Sequence, residues 1–439
     1  SIQEVPTAIT AINSVMMDRQ QIENTSDMQL TVPNVSYSKG NFTTSAFQIR
    51  GIGNTAVGST ADSGVSVHIN DMPIESHRLY AVEFFDVETI SILRGPQGTL
   101  FGRNATGGLL NVTTKKPTND FNASFEAELG DYNSQRFKGH INVPMGDTFS
   151  ARLAGIMTQR DGYTTNLFTG NDIDGRDMYS LRGTLRFQPS DRTTIDLMVN
   201  YMKDDSDRSR SQKKMCNRDP VGNLGCLADT LEFEFPNGLA TLPSNLASNL
   251  VLGDITSPDP IANWGLSLFP FGYDINGATP NPADMRTVNM DFEPIYQAED
   301  TYISLTLDQA IGDHHDLNVS VGYLDTSFLS RRDFDASVGA PIIGVPALGF
   351  GLSPALPVLA PITAGALFSN NTLPISQIST SNLGVLGLDI AGSSTNYFSY
   401  DQSNTDGEQK TIEMVLKSDF DGDWNYLLGG IYFDYEVST

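Results

Sequence analysis

Most of the chain after residue 117 alternates between apolar and polar residues with a period of two, which predicts β-strands. In one run, Ile195, Leu197, Val199 and Tyr201 share a face, while threonine, aspartate, methionine and asparagine side chains share the other. We count nine such runs, at 122–130, 135–143, 149–160, 178–188, 194–203, 301–311, 316–328, 409–420 and 424–436. The pattern therefore predicts a sheet of nine strands with one apolar face.

The connections between these runs alternate between tight turns and long loops, the latter at 161–177, 204–300 and 329–407. Loops this long are rare in compact soluble domains and usually carry function. A soluble sandwich would show the same alternation of residues. The length of the runs and the alternation of short and long connections favour a transmembrane β-barrel, with apolar side chains toward lipid and long loops outside the cell.

The first part of the chain has a different pattern. It predicts a strand at 5–12, a helix at 15–22, a second helix starting at Ser26 and a half-buried strand at 65–69. This mixture predicts a small α+β domain in residues 1–117.

The predicted sheet of residues 118–439 needs further strands. Nine strands would leave an open edge toward lipid, where backbone hydrogen-bonding groups find no water. We therefore expect this region to be the first part of a larger barrel, with further sequence before and after the chain.

The longest uncharged run extends from Ala336 to Leu388. It contains Pro341, Pro346 and Pro354 among its prolines, which excludes a membrane-spanning helix. So much apolar surface is rarely left in water. We expect the segment to fold over the N-terminal domain as a ligand vestibule, to dock a second protein at the cell surface, or to pack on neighbouring loops.

The chain has 52 acidic and 27 basic side chains and a formal net charge of −25, which argues against a nucleic-acid-binding protein. Its two cysteines, Cys216 and Cys226, lie in a segment rich in glycine, asparagine and aspartate. This spacing predicts a disulfide formed in an oxidising compartment. Half of a zinc site is the alternative, although no nearby histidine or cysteine completes it.

Other candidate chemistry is weak. The glycine-rich run 95–102 is no phosphate loop, because Arg103 and Asn104 stand where lysine and serine or threonine are required. The oxygen-rich cluster at 171–177 could hold calcium or be a solvated turn. The pair His314–His315 fits a structural turn. We predict no metal site, no cofactor and no catalytic residues, and therefore no enzyme.

The most specific signal lies in two motifs of the N-terminal domain, FQIRGIG at 47–53 and LRGPQGTLFGRNATGG at 93–108. Their glycines permit tight turns and close approach to a surrounding wall. This part of the chain resembles the plug domain of TonB-dependent outer-membrane receptors, most of all siderophore receptors. The motif residues that carry the resemblance are Gly51, Gly95, Pro96, Gly98, Gly102, Arg103, Asn104, Gly107 and Gly108.

The resemblance implies a plug inside a barrel of about 22 strands. It also implies that the plug arginines Arg50 and Arg94 pair with a glutamate of the inner wall, and Glu413 is the matching position. Strand parity agrees, because Ile412 and Met414 would face lipid and Glu413 the lumen. The alternative is that Glu413 is a solvated residue of the lumen.

The resemblance finally implies a function. The expected protein lies in the lipid of the bacterial outer membrane, binds a scarce extracellular ligand and imports it with energy from the TonB-ExbB-ExbD complex. A ferric siderophore is the default ligand. The family's TonB box and its aromatic-ended last strand are not visible in the sequence. A passive gated channel and a surface receptor or adhesin acting through its loops are the alternatives.

Overall fold

The computed structural model describes residues 8–39, 45–53, 63–75, 83–209, 212–221, 224–237, 280–333, 336–339, 373–376, 390–394, 400–422 and 424–438. The helices are α1 Ser14–Gln20, α2 Met28–Thr31 and α3 Gly98–Phe101. The strands are β1 Ala8–Asn13, β2 Val35–Lys39, β3 Ser45–Ile49, β4 Val65–Ile69, β5 Met72–Pro73, β6 Val87–Arg94, β7 Gly108–Thr114, β8 Asn122–Gly130, β9 Ser134–Pro144, β10 Phe149–Arg160, β11 Thr164–Asn166, β12 Asp172–Ile173, β13 Arg176–Ser190, β14 Thr193–Ser206, β15 Asn217–Arg218, β16 Cys226–Leu227, β17 Thr287–Val288, β18 Ile295–Ile311, β19 His315–Asp333, β20 Leu373–Ser376, β21 Ile390–Ser394, β22 Tyr400–Ser418 and β23 Leu427–Ser438.

The largest sheet has nine antiparallel strands in the order β23-β22-β19-β18-β14-β13-β10-β9-β8, which confirms the predicted count. Each strand pairs with its neighbour in sequence within this sheet. The two faces differ as predicted: in β13, Leu181 and Leu185 are each 50% exposed, whereas Arg182 and Thr184 are 9% and 4% exposed. The apolar face points outward, and the polar face lines a covered interior.

We call the nine-stranded sheet the wall. Several of its strands are longer than the apolar alternation predicts. β18 begins at Ile295 rather than 301, and β22 begins at Tyr400 rather than 409. The added residues are mostly polar, as in the pairs Asp325↔Glu408 and Ser327↔Asp406. Ladder hydrogen bonds form whatever the side chains, so apolar alternation marks only the lipid-facing part of a strand. The connecting loops are correspondingly shorter than predicted.

The N-terminal domain contains a five-stranded sheet in the order β1-β6-β7-β4-β5, with β2 and β3 pairing as a separate hairpin. Its core is formed by side chains from the sheet, the hairpin and the two N-terminal helices. The most deeply buried include Met28, Phe47, Ile49, Ile90 and Ile92. This is the predicted α+β fold.

Helix α1 starts and ends close to the predicted limits. The side chain of Asn13 accepts a hydrogen bond from the Met16 backbone N–H at 2.9 Å and caps the helix. Gln21 ends it in the left-handed conformation, at φ 51°. With seven residues, α1 is the longest described helix, and none of the described helices has the length and apolarity to cross a membrane.

The prediction that β4 is half-buried is wrong, since its polar face is also covered. Ser66 and His68 are 6% and 1% exposed. The His68 Nδ1 donates to the Asp71 carbonyl oxygen at 2.8 Å, and its Nε2 accepts from the Ser66 hydroxyl at 2.9 Å. These bonds satisfy the imidazole in its neutral form, and burial lowers the pKa of His68 to about 4.

The long loops contain short paired segments that the sequence did not indicate. β12, β11 and β17 form a sheet that joins the first loop to the second. The buried Asn166 side chain donates to the Met290 carbonyl at 3.0 Å and accepts from the Met290 N–H at 3.1 Å. Ala336 packs with Ile173 and Val288 in the same cluster. The predicted vestibule at 336–388 lies outside the described residues, apart from 336–339 and 373–376.

Replacing Gly108 by alanine should destabilise the N-terminal domain by about 2 kcal/mol. Gly108 has φ +149°, and a Cβ there would collide with the Leu93 carbonyl oxygen and with Ile49. The measurement is the urea concentration at which the domain loses protease resistance in the purified protein.

Gly98→Ala is the matched control. Gly98 begins α3, and a Cβ there meets open space, so the conformation does not require glycine. This variant should match the parent or gain up to about 1 kcal/mol, because alanine favours a helix. Equal losses at positions 98 and 108 would contradict the argument.

The stability of the same domain should depend on pH through His68. Its pKa is about 4 when folded against an ordinary 6.5, so the unfolded chain binds the proton more tightly. The contribution of neutral His68 to the free energy of unfolding is complete above pH 6.5 and is lost as the pH falls to about 4. The total loss is about 3 kcal/mol at most. Urea unfolding between pH 7 and 4 measures it. His68→Gln removes the titrating group, so the free energy of unfolding should change less with pH in this variant. An unchanged pH dependence would show that His68 is not its cause.

Candidate functional site

The motif at 93–108 forms the connection between β6 and β7. The Gly95 N–H donates to the Gly107 carbonyl at 2.9 Å, and the Gln97 N–H donates to the Ala105 carbonyl at 2.8 Å. Between them α3 ends at Gly102, whose φ 76° and ψ −143° suit glycine alone. The connection is therefore a compact, hydrogen-bonded unit that projects from the sheet.

This unit contacts the wall through Glu75. The Asn104 Nδ2 donates to the Glu75 Oε1 at 2.8 Å, and the Arg103 guanidinium lies 3.8 Å from the same oxygen. The Arg103 guanidinium also lies 5.1 Å from the centre of the Phe433 ring in β23. Arg103 and Asn104 of the predicted motif therefore reach the wall directly and through Glu75.

Gln409 of β22 completes this contact. Its side chain is 3% exposed. Its Oε1 accepts from the Glu75 N–H at 2.9 Å, and its Nε2 donates to the Pro73 carbonyl at 2.6 Å. The uncharged amide of Gln409 thus binds the backbone at the end of β5 and just after it.

The predicted pairing of Arg50 and Arg94 with Glu413 is not formed in the described structure. The Arg94 Nη2 donates to the Thr10 hydroxyl at 3.2 Å, because β1 lies beside β6. The Arg50 Nη1 lies 3.8 Å from the position a Cβ would take at Gly95, within the plug. Glu413 points inward, as parity predicts, but its electrostatic neighbours are Asp71 and Lys417. The contacts given for both arginines therefore lie within the N-terminal domain.

A buried ion pair joins the domain to the wall. Its acidic residue lies in the domain and its arginine in the wall, the reverse of the predicted arrangement. Asp86, just before β6, receives two hydrogen bonds from Arg152 of β10, including one from Nε to Oδ2 at 2.7 Å. Both side chains are 5% exposed. A bidentate pair of this kind is short, directional and strong when water is excluded.

Neighbouring arginines of the wall extend this contact. The Arg182 Nη1 donates to the Phe85 carbonyl at 3.2 Å, and its guanidinium lies 4.4 Å from the centre of the Phe85 ring. The Arg136 guanidinium lies 3.1 Å from Glu83 and 3.0 Å from Glu23. Three strands, β9, β10 and β13, thus supply cations to acidic and carbonyl oxygens of the N-terminal domain. We call this set of contacts the charged side.

The contact on the next strands of the wall is mainly apolar. Met72 and Ile74 pack against Met198, Tyr302 and Leu324 of β14, β18 and β19. A Cβ at Gly322 would collide with the terminal methyl of Met72. Gly322 therefore leaves a recess in the wall that this methyl fills. We call this set of contacts the methionine side.

The charged side was not predicted from the sequence. Its signal was present, because Arg136, Arg152 and Arg182 all fall on the polar face of successive strands. Buried cations in a barrel interior need anions, and the N-terminal domain is the nearest source. Which acidic residues would supply them could not be read from the sequence, since only the fold brings Glu23 close to Glu83 and turns the segment 83–86 toward the wall.

The remaining predicted residues have structural surroundings. Cys216 and Cys226 are joined by a disulfide, with Cα atoms 5.4 Å apart, beside the short pair β15–β16. His314 and His315 bond to the Asp419 carbonyl and the Tyr426 hydroxyl, each at 2.9 Å, within turns. The described residues contain no group of three or more histidine, cysteine or acidic side chains arranged to hold a metal ion.

Comparison with known proteins gives concordant results. Residues 1–109 match the TonB-dependent Receptor Plug Domain. The chain is 28% identical over 158 residues to the pesticin receptor of Yersinia pestis, covering 35% of this chain and 23% of that receptor. It is 29% identical over 138 residues to the ferrioxamine B receptor of Salmonella typhimurium, covering 31% and 19%. The chain thus matches less than a quarter of the length of these relatives.

Solved structures share the fold over nearly the whole chain. The siderophore receptor PiuA from Acinetobacter baumannii has a TM-score of 0.58 at 13% identity, covering 99% of this chain and 46% of that one. The ferric yersiniabactin uptake receptor FyuA from Yersinia pestis has a TM-score of 0.52 at 12% identity, covering 98% and 61%. The matched proteins are receptors of the outer membrane, and the plug and wall described above correspond to theirs in fold. Residues 1–109 therefore belong to the TonB-dependent receptor plug domains, and they are followed by nine strands that share the fold of outer-membrane receptor barrels.

Proposed function

We propose that this receptor imports a ferric siderophore across the outer membrane, using energy supplied by the TonB-ExbB-ExbD complex. The extracellular loops and the outer surface of the plug would bind the siderophore. The observation that carries the proposal is the plug itself, which is fastened to the barrel wall by the buried Asp86–Arg152 pair. A ligand can pass only when such a plug is displaced, and displacement requires work.

The ligand class is supported by the relatives. Their names include a ferrioxamine B receptor and a ferric yersiniabactin uptake receptor, and several solved neighbours are described as siderophore receptors. These names apply to those proteins, and the present chain shares their fold at low identity.

A passive channel is disfavoured by the same contact. Separating the buried Asp86 carboxylate from the Arg152 guanidinium is costly, so thermal motion alone rarely opens the barrel. A purely adhesive surface receptor needs no displaceable plug, although the ordered loop sheet of β11, β12 and β17 would serve it. TonB dependence separates the three functions.

Uptake should require both the receptor and TonB. Iron-starved cells that lack other siderophore receptors are given ⁵⁵Fe-labelled ferrioxamine B or ferric yersiniabactin, with and without TonB. We expect accumulation of at least one chelate only when receptor and TonB are both present. Accumulation without TonB would indicate a channel, and binding without accumulation of either chelate would indicate a surface receptor.

Replacing Arg152 by alanine should loosen the plug. Asp86 would remain buried without its bidentate partner, at a cost of about 3–5 kcal/mol. The expected result is greater entry of a glycopeptide antibiotic that ordinary pores exclude, measured as lower survival of cells lacking TonB.

The matched control is Arg192→Ala. Arg192 also pairs with an aspartate, Asp313, but the two side chains are 59% and 80% exposed in neighbouring turns. Such a pair contributes about 0–1 kcal/mol, so survival should match the parent. If the two variants admit the antibiotic equally, the Asp86–Arg152 pair does not fasten the plug.

A further inference from the structure

The two sides of the plug are fastened by different kinds of interaction. On the charged side, Arg152 and Arg136 make ion pairs with plug carboxylates, and Arg182 stacks on Phe85. These bonds have fixed directions and are made in a covered space, so small movements weaken them sharply. The plug segment that they hold, 83–86, leads directly into β6 near the centre of the plug sheet.

Among the described residues, the packing of Met72 and Ile74 on the methionine side involves no ion pair, and an ion pair of β14 joins Asp196 to Lys116, which follows the plug sheet, at 3.2 Å. Met72 fills the recess at Gly322, and the Met198 sulfur lies 3.6 Å from the Asn70 Nδ2. The backbone at Pro73 and Glu75 is bound by one uncharged side chain, Gln409. Methionine is flexible and polarizable, so it adapts to sliding without losing all of its contacts. β5 is also the edge strand of the plug sheet, with only β4 beside it.

The wall behind the methionine side is unusual for a barrel interior. Such interiors are polar. Here an apolar strip, which we call the inner-wall strip, crosses β14, β18 and β19 and is at most 5% exposed. It consists of Met198, Met202, Ala298, Tyr302, Leu324 and Phe328. Its lower part lies against Met72 and Ile74, and its upper part continues toward the loops through Tyr296.

We propose that the plug opens on the methionine side. Met72 leaves the recess at Gly322 and the Gln409 bonds break, while the charged side keeps its contacts with β9, β10 and β13. The ligand then passes between β4–β5 and the inner-wall strip, whose methionine, tyrosine and phenylalanine side chains give a passing chelate a surface without strong charge. This inference rests on the proposed function, because it names the route and the residues that release it.

Two single-cysteine variants test the side of opening. Leu324→Cys lies on the inner-wall strip, and Ala154→Cys lies against Phe85 on the charged side. The parent side chains are 1% and 2% exposed, so both positions start equally covered. The native cysteines are joined in a disulfide and do not react with maleimides. The probe is a membrane-impermeant maleimide added to cells that are taking up ⁵⁵Fe-labelled ferrioxamine B or ferric yersiniabactin.

With TonB present, Leu324→Cys should be labelled at least about tenfold faster than without TonB, because local opening exposes it. Ala154→Cys should be labelled at the same slow rate in both strains. Faster labelling at both positions, at position 154 alone, or at neither while ⁵⁵Fe accumulates would overturn the proposal. Loss of TonB-dependent accumulation in the parent receptor would instead refute the proposed function.

A second measurement needs no ligand. In the purified receptor, rising urea should expose Leu324→Cys to the maleimide at a lower concentration than Ala154→Cys, because the uncharged contacts separate first. Simultaneous exposure would mean that the plug leaves the wall as one body, and the reverse order would mean that the charged side opens. Either result overturns the proposal independently of transport.

Discussion

The structure depends on one electrostatic constraint, the pairing of buried cations inside the barrel. Arg152 and Arg182 project from the wall into a space that water barely reaches, where an unpaired charge is very costly. Asp86 and the Phe85 carbonyl meet them. Wall and plug therefore complete each other: the arginines require an anion that only the seated plug supplies, and the segment 83–86 is positioned by the wall.

The parts of the plug differ in how firmly they are fixed to the wall. The charged side is bonded through side chains whose geometry is narrow, whereas the edge strand β5 meets the wall through methionine and one amide. The sheet between them is short and well packed around Ile90 and Ile92. A plug built in this way has a fixed flank and an adaptable flank, which differs from a stopper held evenly around its circumference.

The sequence predicted the architecture but not the contacts that fasten it. Alternation identified all nine wall strands, because lipid outside and a polar interior leave a period-two pattern in the chain. The motif at 93–108 identified the plug, since its glycines and Asn104 occupy turns with positive φ. Strand ends were missed where pairing continues beyond the membrane. His68 was missed because a covered polar face looks like a solvated one in sequence.

The plug–wall pairing was predicted with the wrong partners for a related reason. Parity correctly places Glu413 inside, but a position on the wall does not reveal which plug residue lies opposite. Arg94 is taken by Thr10 of the adjacent strand, a neighbour that only the β1–β6 pairing shows. The row of wall arginines was readable in principle, but its acidic partners come from two separate segments of the plug, at Glu23 and at 83–86.

The length of the wall strands sets the height of the receptor. β19 has 19 residues, and at about 3.3 Å per residue it is about 60 Å long. Tilted by about 45°, it rises about 45 Å, whereas the apolar band of an outer membrane is about 25 Å tall. The polar upper part, paired with β22, therefore stands well clear of the lipid. The paired strands therefore act as a stiff stalk that holds the loops beyond the headgroups of the outer leaflet.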